Sequence, residues 1–424
     1  MTATSIAPAP PARAALSAIR PTERLRILDI LRGFAIFGIL LVNIHFYSRP
    51  IYTIFRGDQG STVDQIIKFG TMFLVTEKFI STLSLLFGIG VAILFQRALD
   101  KGAPVGRVFL RRQIGLFAIG ITHALALYSG DFIGNYAVLG LLLFLFRKAR
   151  GRTLLAASAI TLLVPCLYVA PAMLSRPGEA PARPDPQAQQ ALRQQRREAL
   201  ARRIEESVEV YGHGDISQIF RLRSREVRFQ YASLLFVGWK MFSMFLLGMW
   251  CWRSGLASSL EDRLPFLRKV VWTALTIGVL GTSLGLAGDS LGLPQNAPVQ
   301  LAAALGREIG APALAVFYSS AITLLYFGGV GRRVFDWLAP VGRTAMSNYV
   351  FQSVVCTTIF YSYGLGLFYR TTYSINVALA LGVFAIEIIV SRSWLRRFDF
   401  GPLEWLLRAF VYLRPASMAR GDRS

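Results

Sequence analysis

The sequence predicts an all-α protein: a polytopic bundle of about ten transmembrane helices, both termini cytoplasmic, with a helical loop on the external side. Three observations predict it. Mean hydropathy is +0.46, and charged residues make up only 17% of the 424 residues, well under the roughly one-quarter share of a soluble domain. Apolar runs close to the length of a membrane-crossing helix recur along the chain. The 46 Lys and Arg, against 24 Asp and Glu, gather in short clusters between those runs. A net charge of +22 distributed in that way matches loops facing the cytoplasm rather than a nucleic-acid-binding surface.

Residues 1–22 are rich in Ala and Pro, hold no apolar run, and read as a disordered cytoplasmic tail. A helix rising about 1.5 Å per residue needs about 20 residues to cross about 30 Å of hydrocarbon. The N-terminal membrane half, 23–174, offers spans at 27–47, 79–97, 110–128, 132–147 and 153–174. The first is too long for a signal-peptide core and has no small-residue cleavage site, so it stays as a helix. The stretch 64–77 is too short to cross and reads as an interfacial or re-entrant helix. The cap loop, 175–230, opens Pro-rich from Pro177 to Pro186 and continues as a charged helix over 187–210. It is basic yet external, which the charge rule tolerates in long loops, and it is either a solvated cap or a lid over an acceptor.

The C-terminal half, 231–392, offers spans at 231–252, 269–288, 308–330, 343–363 and 374–392. Residues 393–424 read as an amphipathic cytoplasmic segment, rich in Trp, Leu, Phe and Arg, followed by a tail. Orientation follows from the cations between spans. Arg24/Arg26, Arg107/Arg111/Arg112, Arg147/Lys148/Arg150/Arg152, Arg253/Arg263/Arg268/Lys269, Arg332/Arg333 and Arg392/Arg396/Arg397 all fall on one side of the alternation.

Several chemistries are excluded. Three cysteines, Cys166, Cys251 and Cys356, lie in apolar runs without CxxC spacing and read as packing residues. Three histidines leave no multi-His metal site, and HExxH, phosphate-loop and GxGxxG motifs are absent.

Polar side chains inside spans are costly and turn towards the bundle interior. In the first span Asp29 and Arg32 are i,i+3 neighbours that can pair. Arg32 and Asn43 share a face roughly 16 Å apart along the axis, and His45 follows near the external mouth. The third span carries His123 about 9 Å below its external end, and the turn after it, Tyr128-Ser129-Gly130-Asp131, lets Asp131 fold back towards the bundle. A carboxylate beside a histidine fixes its tautomer and makes it a general base; a core histidine tied to a backbone carbonyl is the other reading. Glu77 and Lys78 open the second span at the external level, as site residues or as simple helix-end charges. In the ninth, Arg343 starts the span, with Asn348 and Gln352 on one face. No Ser or Cys stands out as a nucleophile.

The same residues carry a resemblance. Leu28-Asp29, Leu31-Arg32-Gly33 and Asn43, then Lys78-Phe79 with Leu85-Leu86-Phe87-Gly88-Ile89-Gly90, then His123 with Gly130-Asp131 and Tyr136-Ala137, form the first part. Gly342-Arg343-Thr344-Ala345-Met346-Ser347-Asn348-Tyr349 with Gln352-Ser353, and Gly401-Pro402-Leu403-Glu404-Trp405 with Arg408 and Tyr412, form the second. From Arg24 to Tyr412 the chain resembles the YeiB-like family of bacterial inner-membrane proteins, domain of unknown function 418. That family looks related to transmembrane acyltransferases such as heparan-glucosaminide N-acetyltransferase. The resemblance implies that Asn43 matches the functional Asn of their first helix. Their active-site His, at a longer spacing, has no counterpart here; His45 is the nearest, and the reading of the residues themselves assigns the base to His123.

The function expected is transfer of an acyl group from cytoplasmic acyl-CoA, acetyl-CoA being one such donor, to a hydroxyl or amine acceptor at the external side. Arg32, Arg343 and the basic loops would meet the phosphates, Asn43 a developing oxyanion, and His123, oriented by Asp131, the acceptor's proton. Acyl-CoA is a co-substrate, no tightly bound cofactor or covalent acyl-enzyme being required. The partners are membrane lipids, acyl-CoA and an unidentified glycan, lipid or small-molecule acceptor; a homodimer is compatible, and nucleic acid is not a partner. The same polar stripe would alternatively serve a transporter or flippase for a small anion or lipid-linked molecule. Against that stands the lack of an internal repeat and of paired Gly/Pro-broken spans.

Overall fold

The computed structural model describes residues 25–53, 60–168, 186–290, 297–413 and 417–419. Among them there is no strand, only an isolated bridge between Phe398 and Ala419. The tail 1–22 and nearly all of the Pro177–Pro186 stretch lie outside the described residues. In chain order the helices are α1 (Arg26–Ser48), α2 (Thr62–Leu74), α3 (Lys78–Asp100), α4 (Val105–Ala126), α5 (Ile133–Leu142), α6 (Gly151–Leu163) and α7 (Pro186–His213). They continue as α8 (Ile216–Arg253), α9 (Leu264–Ser290), α10 (Ala297–Phe327), α11 (Arg332–Arg343), α12 (Ala345–Phe360), α13 (Tyr373–Arg397) and α14 (Pro402–Tyr412).

Six described segments are long and apolar enough to cross a membrane: Arg26–Ser48, Thr62–Asp100, Ile216–Arg253, Glu261–Gly288, Pro298–Phe327 and Tyr373–Arg397. This is a membrane protein built of helices. The other expected spans are helical too, but shorter or more charged. α4 carries Arg107, Arg111 and Arg112, α5 and α6 each finish in 3₁₀ turns, and α12 has 16 residues.

α1 is the hub. Its most apolar window is 72% buried, whereas that of α9 is 22% buried and lies at the rim. α1 packs against α3, α10, α11, α12 and α13. Its closest neighbour is α11, through two reciprocal glycines. A methyl group on Gly33 would strike the Leu338 carbonyl, and one on Gly342 the Asp29 carbonyl. Small residues let helix backbones approach this closely in a bilayer. The crossing also sets Arg32 of α1 beside Arg343, the last residue of α11.

Three boundaries differ from the sequence reading. α8 starts at Ile216, so residues 216–230 are a rigid extension of the span rather than part of a loop. A capping box between Asp215 and Gln218 opens it, and no Gly or Pro interrupts before Gly238. The stretch 332–342, read from sequence as the connection before the ninth span, forms α11, and the ninth span itself begins after Thr344 as α12. Pro340 has removed a backbone donor there, and the Thr344 hydroxyl returns to the Pro340 carbonyl at 3.0 Å. α14 does more than lie on a surface: it packs against α4 and α12, and Leu407 fills the space over Gly115. The short helix α2 leaves Val63, Ile66 and Phe69 exposed at helical spacing.

A buried hydrogen-bonded line above a basic funnel

His123 stands on the last turns of α4, 3% exposed. Its Nδ1 lies 2.8 Å from Asp131 Oδ1 and its Nε2 2.7 Å from Ser353 Oγ. Ser353 Oγ is in turn 2.5 Å from the Tyr47 hydroxyl. Asp131, Ser353 and Tyr47 are all fully buried. A carboxylate accepts only, so Nδ1 carries the proton donated to Asp131 and Nε2 accepts from Ser353. The Tyr47 hydroxyl then donates to Ser353. The Tyr349 carbonyl, at 3.2 Å from Ser353 Oγ, is the weaker alternative acceptor. His123 is therefore no core histidine tied to a backbone carbonyl. The expected His123–Asp131 pair is present, and Ser353, to which the sequence reading assigned no role, completes an Asp-His-Ser line. In sequence it was only part of the Gln352-Ser353 pair that carries the resemblance, with no role given, and the packing of α12 brings it to His123 and Tyr47.

Local chain chemistry holds the line in place. Gly130 is required because any side chain there would strike the Tyr128 ring. The turn it allows folds Asp131 back, and Asp131 Oδ2 accepts the Gly134 amide at 2.6 Å at the start of α5. A helix N-terminus favours a carboxylate there. Three residues of α8, all in the stretch read from sequence as loop, brace the same turn. Gln230 donates to the Asp131 carbonyl at 2.5 Å. Arg223 caps the end of α4 through the Ala126 carbonyl at 2.6 Å. Glu226 accepts from Ser129 at 2.7 Å and from Tyr211 of α7 at 2.6 Å, tying the charged cap helix to the turn.

Below this line lies a two-chambered space. The outer chamber, of about 580 Å³, opens among the first turn of α1, the end of α3, α11 and α14. Arg32, Arg97, Arg112, Arg343 and Arg408 line it, against the carboxylates of Asp29 and Glu404. Arg32 is held by Asp29 at 2.8 Å, the pair expected from their spacing. Arg343 donates to the Asp399 carbonyl at 3.1 Å, yet its Nε has no partner. Arg112 lies 4.8 Å over the Phe87 ring with one terminal nitrogen buried and unpartnered. Glu404 caps α12 through the Met346 amide at 2.7 Å, and burial pushes its carboxyl up against bonds from Ser347 that pull it down. The inner chamber, of about 190 Å³, shares Arg32, Arg112, Gly90 and Met346 with the outer one and is otherwise apolar. It ends against Ile39, Phe132 and Tyr349. The Tyr349 ring also packs on His123, centroids 5.1 Å apart, so this side chain touches both chamber and line.

The other expected residues divide. Asn43 sits one turn before Tyr47 on the same face of α1, 3% exposed, with its amide nitrogen unpartnered. His45 is two residues from Tyr47, roughly 200° around the helix, and faces away. It stacks on Tyr373 at 4.2 Å and meets the Asn376 amide at 3.4 Å. Glu77 and Lys78 lie elsewhere: Glu77 pairs with Lys240 at 2.8 Å, and Lys78 donates to the Met72 carbonyl at 3.0 Å. Asn348 and Gln352 share a face as expected, but that face meets α13. Asn348 donates to Ser391 at 2.9 Å and Gln352 to Glu387 at 3.0 Å.

Comparison with known proteins bears on this arrangement. Residues 251–414 match the family model described as protein of unknown function (DUF418). The chain is 33% identical to the uncharacterized protein YxaH of Bacillus subtilis (strain 168), over 94% of this chain and 97% of that one. It is 28% identical to the uncharacterized protein YeiB of Escherichia coli (strain K12), over 94% and 98%. It is also 27% identical to an uncharacterized 39.9 kDa protein of Bacillus acidopullulyticus, over 92% and 95%. No solved structure matches.

Proposed function

Since the chain belongs to the DUF418 family, with relatives matched over nearly their whole length, we propose that it is an integral membrane acyltransferase of the bacterial inner membrane. It takes an acyl group from cytoplasmic acyl-CoA and passes it to a hydroxyl or amine acceptor at the external side, with His123 as general base. The observation that carries this reading is the basic funnel leading to a buried Asp-His-Ser line. A phosphorylated donor suits the outer chamber, which five arginines line against two carboxylates. The narrow apolar inner chamber suits a pantetheine arm and its thioester. Asn43, with an unused buried amide, is the expected oxyanion donor.

The orientation belongs to the same proposal: ten spans, both termini and the Arg147–Arg152 loop cytoplasmic, α7 external. That puts the funnel at the cytoplasmic face and His123 in the external half.

Isothermal calorimetry of the purified protein with acetyl-CoA and with a longer acyl-CoA tests the donor. Saturable binding, weakened by Arg32→Gln, is the expected result. If neither compound binds, the donor assignment falls, and a transporter for a small anion becomes the reading to pursue.

A further inference from the structure

Both nitrogens of His123 are already engaged. Nδ1 serves Asp131, and Nε2, the nitrogen that would take a proton from an acceptor, holds Ser353 Oγ at 2.7 Å. The first hydroxyl that His123 can deprotonate is therefore that of Ser353. The base is oriented by a carboxylate that is itself fixed twice, by His123 and by the Gly134 amide. A hydroxyl bonded to a base, the base in turn oriented by a third group, is the arrangement of an activated nucleophile.

The geometry points to Ser353 as a nucleophile that carries the acyl group covalently. This rests on the acyltransferase reading and deepens it from direct transfer to a two-step exchange. In the first step Ser353 Oγ bonds to the thioester carbonyl carbon while its proton moves to His123 Nε2, and the carbonyl π electrons shift to the oxygen. The tetrahedral adduct collapses, the carbon–sulfur bond breaks, and the departing sulfur takes the proton from His123. In the second step the acceptor's oxygen or nitrogen attacks the Ser353 ester and gives its proton to His123. The new acyl bond forms, and Ser353 Oγ leaves with that proton restored. No oxidant, reductant or further co-reactant enters.

The line is reached past Tyr349. Its ring walls the inner chamber on one side and packs on His123 on the other, and a 3.3 Å bond from its hydroxyl to the Gly130 carbonyl tethers it. Ser353 stands one helical turn further along α12. In the proposal that ring turns aside to let the thioester reach Ser353. Tyr47, already donating to Ser353 Oγ, and Asn43, one turn away on α1 with its amide unused, are the donors nearest the charge that develops.

The test uses the full-length protein in detergent and a fluorophosphonate probe, which marks nucleophilic serines whatever their natural donor. Labelling of the wild-type protein, with the modified peptide identified as the one containing Ser353, is expected. Ser353→Ala should lose the label, and His123→Gln should slow labelling at least about a hundredfold. In parallel, incubation with acetyl-CoA should leave one acetyl group on Ser353 in the wild-type protein. Absence of label on folded wild-type protein, or label elsewhere than Ser353, overturns the nucleophile. So does CoA release by Ser353→Ala at the wild-type rate, an outcome that leaves the acyltransferase reading standing. Label at Ser353 with no acyl-CoA binding has the opposite effect: the nucleophile stands and the donor assignment falls. The wild-type labelling keeps the test decisive even if Ser353→Ala fails to fold.

Discussion

The two ends of the buried space differ in how their hydrogen bonds are spent. In the Asp131–His123–Ser353–Tyr47 line each donor has an acceptor within hydrogen-bond distance, and the turn beneath is braced from α5 and α8. In the funnel the cations outnumber the carboxylates, and Arg112 and Arg343 keep unpartnered nitrogens. A satisfied buried network is rigid, while unmet buried donors cost free energy that an anion recovers. The difference teaches which part is built in advance and which waits for a ligand. On the proposed function the line is the reaction centre and the funnel the docking site.

That contrast is broken most directly at His123. Imidazole takes and returns protons and a Gln amide does not. His123→Gln is expected to keep expression, thermal stability and donor binding while CoA release, followed with a mixture of candidate acceptors, falls about 10²–10⁴-fold. If the variant unfolds instead, His123 is a packing residue and the centre is misassigned. Asp131→Asn should fall less, because Asn still caps α5 and offers His123 an oxygen while losing the charge that fixes the tautomer.

The funnel responds differently. A charge-assisted hydrogen bond is worth about 1.5–3 kcal/mol, so Arg112→Gln should weaken acyl-CoA binding about ten- to hundredfold. Turnover at saturating donor should stay close to wild type. Calorimetry and a KM-against-kcat comparison check it: a loss confined to kcat would place Arg112 with the reaction centre and dissolve the contrast. A third change touches neither chemistry. Gly342→Val would drive a branched side chain into the Asp29 carbonyl, and overpacking of this kind costs ~1–3 kcal/mol. It should lower the melting temperature of the detergent-solubilised protein and, by pushing α1 from α11, weaken donor binding with it.

Helix content and the positions of the six long apolar helices were legible because hydropathy is a local signal. The Asp29–Arg32 and His123–Asp131 pairs were legible because each lies within eight residues and one helix or turn brings it together. Ser353 was not, since it meets His123 from 230 residues away, and no spacing rule reaches across three-dimensional packing. His45 and Asn43 show the opposite failure. Both belong to one polar stretch of α1, and only the rotational position of that helix tells that Asn43 shares Tyr47's face while His45 turns to α13. The extension of α8 was masked by charge: Arg221, Arg223, Arg225, Glu226 and Arg228 read as loop, although Ile219, Leu222 and Val227 hold a buried helical face.

The smallest expected effect lies at a second buried polar seam, on the side of α12 that faces α13. Gln352 and Glu387, both fully buried, share a 3.0 Å bond, yet each keeps one side-chain oxygen without a partner. Neither residue lines either chamber. Position 352 is adjacent to Ser353, roughly 100° around the helix, so the seam shares a backbone with the reaction centre but faces elsewhere. A buried carboxyl with an unmet oxygen is costly in such a place, and the amide isostere keeps its shape and the oxygen that accepts from Gln352. Glu387→Gln is therefore expected to leave turnover and donor binding within about threefold of wild type and to hold or raise the melting temperature. Thermal unfolding and CoA release measured on the same preparation decide it. A loss of turnover comparable to that of His123→Gln would mean that the seam takes part in the chemistry, and the separation of a reaction centre on one face of α12 from a packing seam on the other would have to be abandoned.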